Sequence, residues 1–123
     1  MAALQESGEL YLETLLVLSE GGKRVRAINI GEHMGFSKPS VSRALARLRA
    51  DGYITVEADG SIAFTPEGRS VAEKIYERHL LLTECLMQLG VSEATAKEDA
   101  CRIEHVISDE TFAAMKRHTK KKA

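Results

Sequence analysis

The chain has 123 residues, a formal net charge of −1, and 44% hydrophobic and 28% charged residues, a balance that excludes an intrinsically disordered chain. Aromatic residues amount to 5% with no Trp, so we expect a thin helical core of aliphatic side chains and a homodimer that buries more of it. No apolar run is long enough to cross a membrane and the N-terminus lacks a signal-peptide pattern, so we predict a cytoplasmic protein with reduced cysteines.

Two helices are predicted in the first 35 residues. Leucines at helical spacing predict a helix over residues 7–19, and Gly21 with the glycine that follows it ends this helix. Apolar residues between positions 25 and 34 predict a short second helix, which ends at Gly35. Glycine suits both ends because it destabilises a helix interior and readily adopts the left-handed backbone conformation in which helices end.

A third helix follows, and its two faces differ in chemistry. Ser37 can cap it, and Pro39 lies in the first turn, where a missing N–H costs nothing. Apolar residues from Val41 to Leu48 cover one face, and Arg43 on the other face can make a bidentate contact with guanine. A recognition helix places the polar residues of its N-terminal half in the major groove. The candidate DNA-binding residues are Ser37, Lys38, Pro39, Ser40, Ser42, Arg43 and Arg47.

A β-hairpin is predicted after the third helix. Residues 53–56 and 61–64 alternate in polarity, and Asp59-Gly60 between them is a turn signal. Three helices followed by a hairpin is the order of a winged helix. The segment 23–49 has seven basic residues and one acidic residue, which indicates phosphate contact and predicts double-stranded operator DNA as a partner. The alternative is an ordinary amphipathic, solvated face.

The second half of the chain is predicted to be all helical. Thr65 and Pro66 are a strong start for a long helix that runs to Gln88. Ser92 can cap the next helix, which we expect to continue to about Ile107. Ser108 starts a final short helix, and we interpret the basic residues from 116 to 122 as a solubilising tail. The fold class is therefore mainly α, with an N-terminal winged helix-turn-helix and two-stranded wing over residues 1–65 and an all-helical domain over 66–123.

Three donor residues stand close together near the end of the fifth predicted helix. Cys101, Glu104 and His105 are spaced i, i+3 and i+4, which places a thiolate, a carboxylate and an imidazole on one helical face. These donors together are typical of a transition-metal site. His79 on the long helix can complete it, and Glu13 on the first helix can add a carboxylate. The alternative for either residue is an ordinary surface or core position.

Four stretches of the chain carry a family resemblance, of which the last is the most specific: Gly8-Glu9-Leu10-Tyr11-Leu12-Glu13, Gly35-Phe36-Ser37-Lys38-Pro39-Ser40-Val41-Ser42, Glu77-Arg78-His79, and Ala100-Cys101-Arg102-Ile103-Glu104-His105-Val106-Ile107-Ser108. With these stretches the chain resembles the DtxR/MntR family, the diphtheria-toxin-repressor-like, iron- or manganese-dependent transcriptional regulators. The resemblance implies a winged-helix domain followed by a helical metal-binding and dimerisation domain, in a short form without the SH3-like third domain of longer members.

The resemblance also implies which residues bind metal and where this chain departs from the family. Leu10 stands where iron-type members have Met and manganese-type members have Asp. Thr83 stands where both types have a ligating Glu, and Lys97 where iron-type members have His. We therefore expect a single mixed site. The residues that match metal-binding positions of the family are Glu13, His79, Cys101, Glu104 and His105.

Metal identity follows in part from ligand softness. Cys101 favours Fe²⁺ over Mn²⁺ because thiolate is a soft ligand, whereas Glu13 favours Mn²⁺. We predict Fe²⁺ first and Mn²⁺ next, with Co²⁺, Ni²⁺ or Zn²⁺ able to bind in vitro. The predicted protein is a metal-dependent repressor that binds operator DNA as a dimer and controls metal-ion homeostasis genes. It is not predicted to be an enzyme, since we find no nucleophile motif or phosphate loop.

Two other classes of protein remain open at this stage. One is a winged-helix thiol or redox sensor, in which Cys101 is oxidised instead of binding metal. The other is a metal-storage or hydrolytic protein that binds no specific DNA. Cys85 lies in the apolar pattern of the long helix, and we interpret it as a small core residue.

Overall fold

The computed structural model describes the backbone of residues 6–122 and the side chains of residues 6–119. The described part of the chain forms two compact units, divided between Glu73 and Lys74. Its elements, in chain order, are α1 (Glu6–Leu18), a 3-10 turn (Glu20–Gly22), α2 (Ala27–Met34), α3 (Lys38–Ala50), β1 (Ile54–Val56), β2 (Ile62–Phe64), α4 (Pro66–Gln88), α5 (Glu93–Ile103) and α6 (Asp109–Lys122). The predicted fold class, mainly α with a winged helix-turn-helix and a two-stranded wing, is confirmed.

The first unit is built around aliphatic side chains from its three helices and hairpin. Leu12 on α1 and Ile30 on α2 are fully buried, and Val41 on α3 and Ile54 on β1 are each 2% exposed. Ser37 caps α3 as predicted, since its hydroxyl oxygen accepts a hydrogen bond from the backbone N–H at position 40. The buried residues of α3, which include Val41, face this core, and the polar face of the helix points away from it.

The wing is a short antiparallel hairpin with a tightly held tip. β1 and β2 pair Ile54 with Phe64 and Val56 with Ile62. At the tip, Asp59 Oδ1 accepts hydrogen bonds from the backbone N–H and hydroxyl of Ser61, at 2.9 and 2.6 Å. These two bonds, with a smaller contribution from an arginine, lower the pKa of Asp59 to about 2.

Thr65 joins the end of α3 to the start of α4. Its hydroxyl donates to the carbonyl of Gly52 at 2.7 Å and accepts from the backbone N–H of Gly68 at 3.1 Å. Gly68 lies so close to the chain before β1 that a Cβ there would be 1.8 Å from the carbonyl oxygen of Tyr53. The predicted start of α4 is thus confirmed, and glycine at position 68 allows this close approach.

The second unit differs from the prediction at two helix ends. α5 ends at Ile103, four residues earlier than predicted, because the N–H groups of Val106 and Ile107 both bond to the carbonyl of Ile103 and tighten the chain into a turn. α6 has 14 residues and extends to Lys122, so the segment interpreted as a short helix and a tail is one helix. Lysine is a good helix former, and nothing in the basic run interrupts the helix.

The core of the second unit is small. Leu82 on α4 is 2% exposed, Ala96 and Ala100 on α5 are fully buried, and Phe112 on α6 is 8% exposed.

None of the helices in residues 6–122 is long and apolar enough to cross a membrane.

Candidate metal centre and DNA-binding face

The end of α5 brings three predicted metal ligands together. Cys101 lies in the last turn of the helix, Glu104 is the residue that caps it, and His105 follows. One donor atom from each, the thiol sulfur, a carboxylate oxygen and a ring nitrogen, all lie within 4.8 Å of one another. Glu104 keeps right-handed helical backbone angles, with φ −57° and ψ −24°. The helical spacing therefore persists for these residues although the helix itself has ended.

Glu104 is the centre of this cluster. Its side chain is fully buried, and Oε2 lies 3.0 Å from Nδ1 of His79 on α4. Oε1 lies 3.4 Å from Nε2 of His105 and has no hydrogen-bond donor among the described residues. A buried carboxylate oxygen without a donor is costly unless a positive charge compensates it.

The donor set fits a divalent transition metal. A thiolate is a soft ligand, an imidazole is intermediate and a carboxylate is hard, so Cys101, His105 and Glu104 together suit a transition metal better than magnesium, which prefers oxygen ligands. The His105 side chain is 2% exposed and that of His79 is 22% exposed. The imidazole of His105 is thus shielded from solvent, whereas His79 is partly exposed and Cys101 is half-buried.

The remaining predicted ligand, Glu13, belongs to the first unit. It lies on α1 and is 7% exposed, which is unusual for a carboxylate. Its role as a metal ligand stays a prediction.

The three departures from the family pattern have other contacts or no donor atom. The hydroxyl of Thr83 donates to the backbone carbonyl of His79 at 2.8 Å. Lys97 Nζ lies 3.4 Å from Glu93 on the same helix face, and Leu10 has no donor. The expectation of a single mixed site stays a prediction that these contacts favour.

Both cysteines are half-buried, and neither forms a disulfide. The sulfur of Cys85 lies 3.2 Å from the hydroxyl oxygen of Thr119 on α6. Cys85, on α4, thus has a polar neighbour on α6 and is only half-buried, so the interpretation of Cys85 as a small buried core residue was wrong.

Sequence reasoning missed one residue beside the site, Arg78. It is 6% exposed, and its guanidinium donates to the carbonyls of Glu104 and Ile107 and to the carboxylate of Asp109. Lys74, and more weakly Arg78, lower the pKa of Asp109. One signal was available: position 78 falls between Ile75 and Leu82 on the apolar stripe of α4, where a charged residue is out of place.

The polar face of α3 has the exposure that contact with DNA requires. Of the seven predicted DNA-binding residues, only Ser40 is half-buried, and its hydroxyl lies 2.9 Å from that of Ser37. Arg43 and Arg47 are exposed, whereas Arg24 in the same basic segment pairs with Asp59 at 2.7 Å. The direct DNA role of each residue stays a prediction. The exposed members are Ser37, Lys38, Pro39, Ser42, Arg43 and Arg47.

Comparison with protein families matches both halves of the chain. Residues 3–62 match the family model described as "Iron dependent repressor, N-terminal DNA binding domain", and residues 65–121 match "Iron dependent repressor, metal binding and dimerisation domain". The chain is 32% identical to "Transcriptional regulator MntR" of Escherichia coli O6:H1 over 111 residues, covering 90% of this chain and 72% of that protein. The chain belongs to the DtxR/MntR family.

Other members of the DtxR/MntR family are longer. The "Diphtheria toxin repressor" of Corynebacterium glutamicum is 38% identical over 111 residues, which cover 89% of this chain and 49% of that protein. The solved structure of the manganese regulator SloR superposes with a TM-score of 0.83 and 25% identity, covering 92% of this chain and 53% of the other. The chain thus spans about half the length of the curated diphtheria toxin repressors that it matches.

Proposed function

We propose that this protein is a metal-dependent transcriptional repressor that binds operator DNA as a homodimer when it is loaded with Fe²⁺ or Mn²⁺. The observation that carries the proposal is the cluster at the end of α5, where donors of Cys101, Glu104 and His105 lie within 4.8 Å of one another around the buried Glu104. The names of the two matched family models support the same reading.

The proposed ligands are Cys101, Glu104, His105, His79 and Glu13. A bound divalent ion would supply the positive charge that compensates the buried carboxylate of Glu104 and the thiolate of Cys101. Fe²⁺ is preferred because of the thiolate and the two imidazoles, and Mn²⁺ comes next because of the carboxylates. Protons compete for these donors, so binding is expected to weaken at low pH.

Glu13 gives the proposal its regulatory step. It belongs to the unit that carries α3, whereas the other proposed ligands belong to the second unit. A ligand from each unit would let metal binding select one arrangement of the DNA-binding heads, and only differential affinity for that arrangement shifts the equilibrium. The selected arrangement would suit two half-sites one helical turn apart, roughly 34 Å.

The proposed DNA contact is made by the exposed face of α3. Arg43 would read guanine through two parallel hydrogen bonds, while Lys38, Arg47 and the serines would contact bases or phosphates. Pro39 fixes the first turn of α3, which presents these side chains.

The test is DNA-binding anisotropy with chelator-treated protein, titrated separately with Fe²⁺, Mn²⁺ and Zn²⁺ in the absence of oxygen. A random library of duplexes, selected with the Fe²⁺-loaded protein, supplies the operator sequence. We expect tight, sequence-specific binding only after metal is added. Equal affinity with and without each of the three metals would overturn metal activation.

The competing reading, a thiol sensor, is favoured by the half-buried thiol of Cys101, which forms no disulfide. Glu104→Gln separates the two functions. Under the metal proposal this variant loses metal-dependent DNA binding, because a buried carboxylate ligand is removed. Under the thiol reading it keeps an oxidant response that Cys101→Ser abolishes, and that result would replace the metal proposal.

A further inference from the structure

Arg78 is a buried cation that holds the turn between α5 and α6. Its Nη1 donates to the backbone carbonyl of Ile107 at 2.8 Å and to that of Glu104 at 3.4 Å. Its Nη2 donates to the carboxylate of Asp109. The Phe112 ring lies against the guanidinium, with 5.4 Å between the ring centroid and Cζ. A single side chain on α4 thus contacts two positions of the turn and two residues of α6.

The contacts made by Arg78 require an arginine. Because α5 ends at Ile103, the carbonyls of the residues that follow have no partner within a helix. A guanidinium has five donors in a planar fork and can serve two carbonyls and a carboxylate at once, whereas an ammonium is a compact point charge. Burial of an arginine is costly unless its donors are used. The turn is therefore fixed from α4 through these bonds.

The turn fixed by Arg78 is also the segment that carries two proposed metal ligands. α4 contacts Glu104 twice: Arg78 bonds its backbone carbonyl, and Nδ1 of His79, the next residue, lies 3.0 Å from its carboxylate. His105 follows Glu104 directly. Fixing the backbone at these residues fixes the direction in which both side chains project.

We infer that Arg78 is a positioning residue for the metal centre. It holds residues 104–107 in the arrangement that brings the donors of Cys101, Glu104 and His105 within reach of one ion. The inference rests on the proposed metal-binding function. It assigns Arg78 no direct contact with the metal, since a cation is not a metal ligand.

The experiment compares Co²⁺ binding by the full chain and three variants, Arg78→Met, Arg78→Lys and Lys74→Met. Visible absorption reports the coordination of Co²⁺, and near-ultraviolet absorption reports its bond to the Cys101 thiolate. Lys74→Met is the matched control, because Lys74 lies 3.1 Å from Asp109 and shares that carboxylate with Arg78. The ion pair of Lys74 among the described residues is with Asp109, which lies outside the 104–107 turn. Removing the Lys74 charge should therefore leave that turn in place.

We expect Arg78→Met to weaken Co²⁺ affinity by about 10–100-fold, the usual effect of removing a group that orients a metal ligand. Its absorption spectrum should change, and Arg78→Lys should not restore it. Lys74→Met should bind as the wild type does. In metal-free protein, hydrogen exchange of the Val106 and Ile107 amides, which bond to the carbonyl of Ile103, should be faster in both Arg78 variants and unchanged in Lys74→Met.

A folded Arg78→Met with wild-type affinity, spectrum and amide exchange would overturn the inference. If circular dichroism shows that Arg78→Met does not fold, Arg78→Lys decides in the same way: weakened affinity in a folded protein supports the inference, and unchanged affinity overturns it. Failure of the wild type itself to bind Co²⁺, Fe²⁺ or Mn²⁺ would instead overturn the proposed function and the inference with it.

Discussion

Asp59 at the wing tip and Glu104 at the end of α5 are both acidic residues at turns, but their surroundings are opposite. Asp59 is exposed, and its oxygens accept hydrogen bonds from the backbone and hydroxyl of Ser61 and from Arg24. Glu104 is fully buried, and its Oε1 has no hydrogen-bond donor among the described residues. Both oxygens of the first carboxylate accept hydrogen bonds, whereas one oxygen of the second accepts none from the described residues.

This contrast separates structural acids from functional ones. A carboxylate whose oxygens are satisfied locally stabilises a turn and needs nothing from outside the protein. A buried carboxylate surrounded by ring nitrogens and a thiol is stable only if a nearby positive charge compensates it. The contrast therefore predicts that substitution at Glu104 changes ligand binding and that substitution at Asp59 changes local order alone.

The largest expected effect is that of Glu104→Gln on metal binding. We expect Fe²⁺ and Co²⁺ affinity to fall by more than about 100-fold, since losing a ligand costs more than losing a residue that orients one. Metal-free protein should stay folded, because glutamine has the same shape. Competition with a chromophoric chelator measures the affinity. Glu98→Gln, an exposed residue of α5, is the control, and an equal loss in both variants would contradict the assignment.

Substitution where α4 packs against the residue before β1 should lower the free energy of unfolding much more than substitution at the tip of the wing. Gly68→Ala would place a Cβ 1.8 Å from the carbonyl oxygen of Tyr53, and we expect the free energy of unfolding to fall by about 2 kcal/mol. Gly31→Ala is the matched control, because its Cβ would meet neighbours no nearer than 3.5 Å. That change within α2 should be neutral or stabilising. Urea denaturation of both variants measures the difference, and equal effects would contradict the packing argument.

Arg43→Ala tests whether the exposed face of α3 reads sequence. We expect discrimination between operator and mismatched duplex to fall by about 1.5 kcal/mol, within the range for one bidentate contact with guanine. Lys23→Ala should weaken binding to both duplexes to the same degree and reduce its salt dependence. Anisotropy on the two duplexes measures both. A uniform loss with Arg43→Ala would mean that this residue contacts phosphate only.

The smallest effect is expected at Asp59. Its pKa of about 2 lies below the ordinary value of 3.8, so its contribution to wing order is fully present above the ordinary value and is lost as the pH falls through about 2. Nuclear magnetic resonance of the Ser61 amide should titrate with that midpoint and show no change near neutral pH. The titration should vanish in Asp59→Asn. A midpoint near 4 would mean that the Ser61 bonds are not formed in solution.

Much of the fold could be predicted from the sequence because local signals agreed with packing. Ser37 and Thr65 cap α3 and α4 as predicted, and the hairpin turns at Asp59 as expected. The end of α5 could not be predicted from periodicity. The helix stops where Arg78 donates hydrogen bonds to the carbonyls of Glu104 and Ile107. These two carbonyls are 26 and 29 residues away from Arg78 along the chain, so local periodicity contains no sign of them.

The candidate site was predicted in part for a related reason. Helical spacing grouped Cys101, Glu104 and His105, and the grouping survives the early end of α5 because Glu104 retains helical backbone angles. The link between His79 and Glu104 required the pairing of α4 with α5, for which only the family resemblance gave a basis. Arg78 was missed because neither spacing nor resemblance assigns a role to a charged residue on an apolar stripe.

The hydroxyl of Thr65 bears on where the chain can be cut. It bonds to Gly52 after α3 and to the first turn of α4 at Gly68, so α4 begins as part of the DNA-binding half. A fragment that ends at residue 65 would keep the capping residue Thr65 but lose the first turn of α4, including Gly68, whose backbone N–H donates to the Thr65 hydroxyl. We expect a fragment through Glu73, where the first compact unit ends, to be the shorter piece that can be isolated for DNA-binding studies.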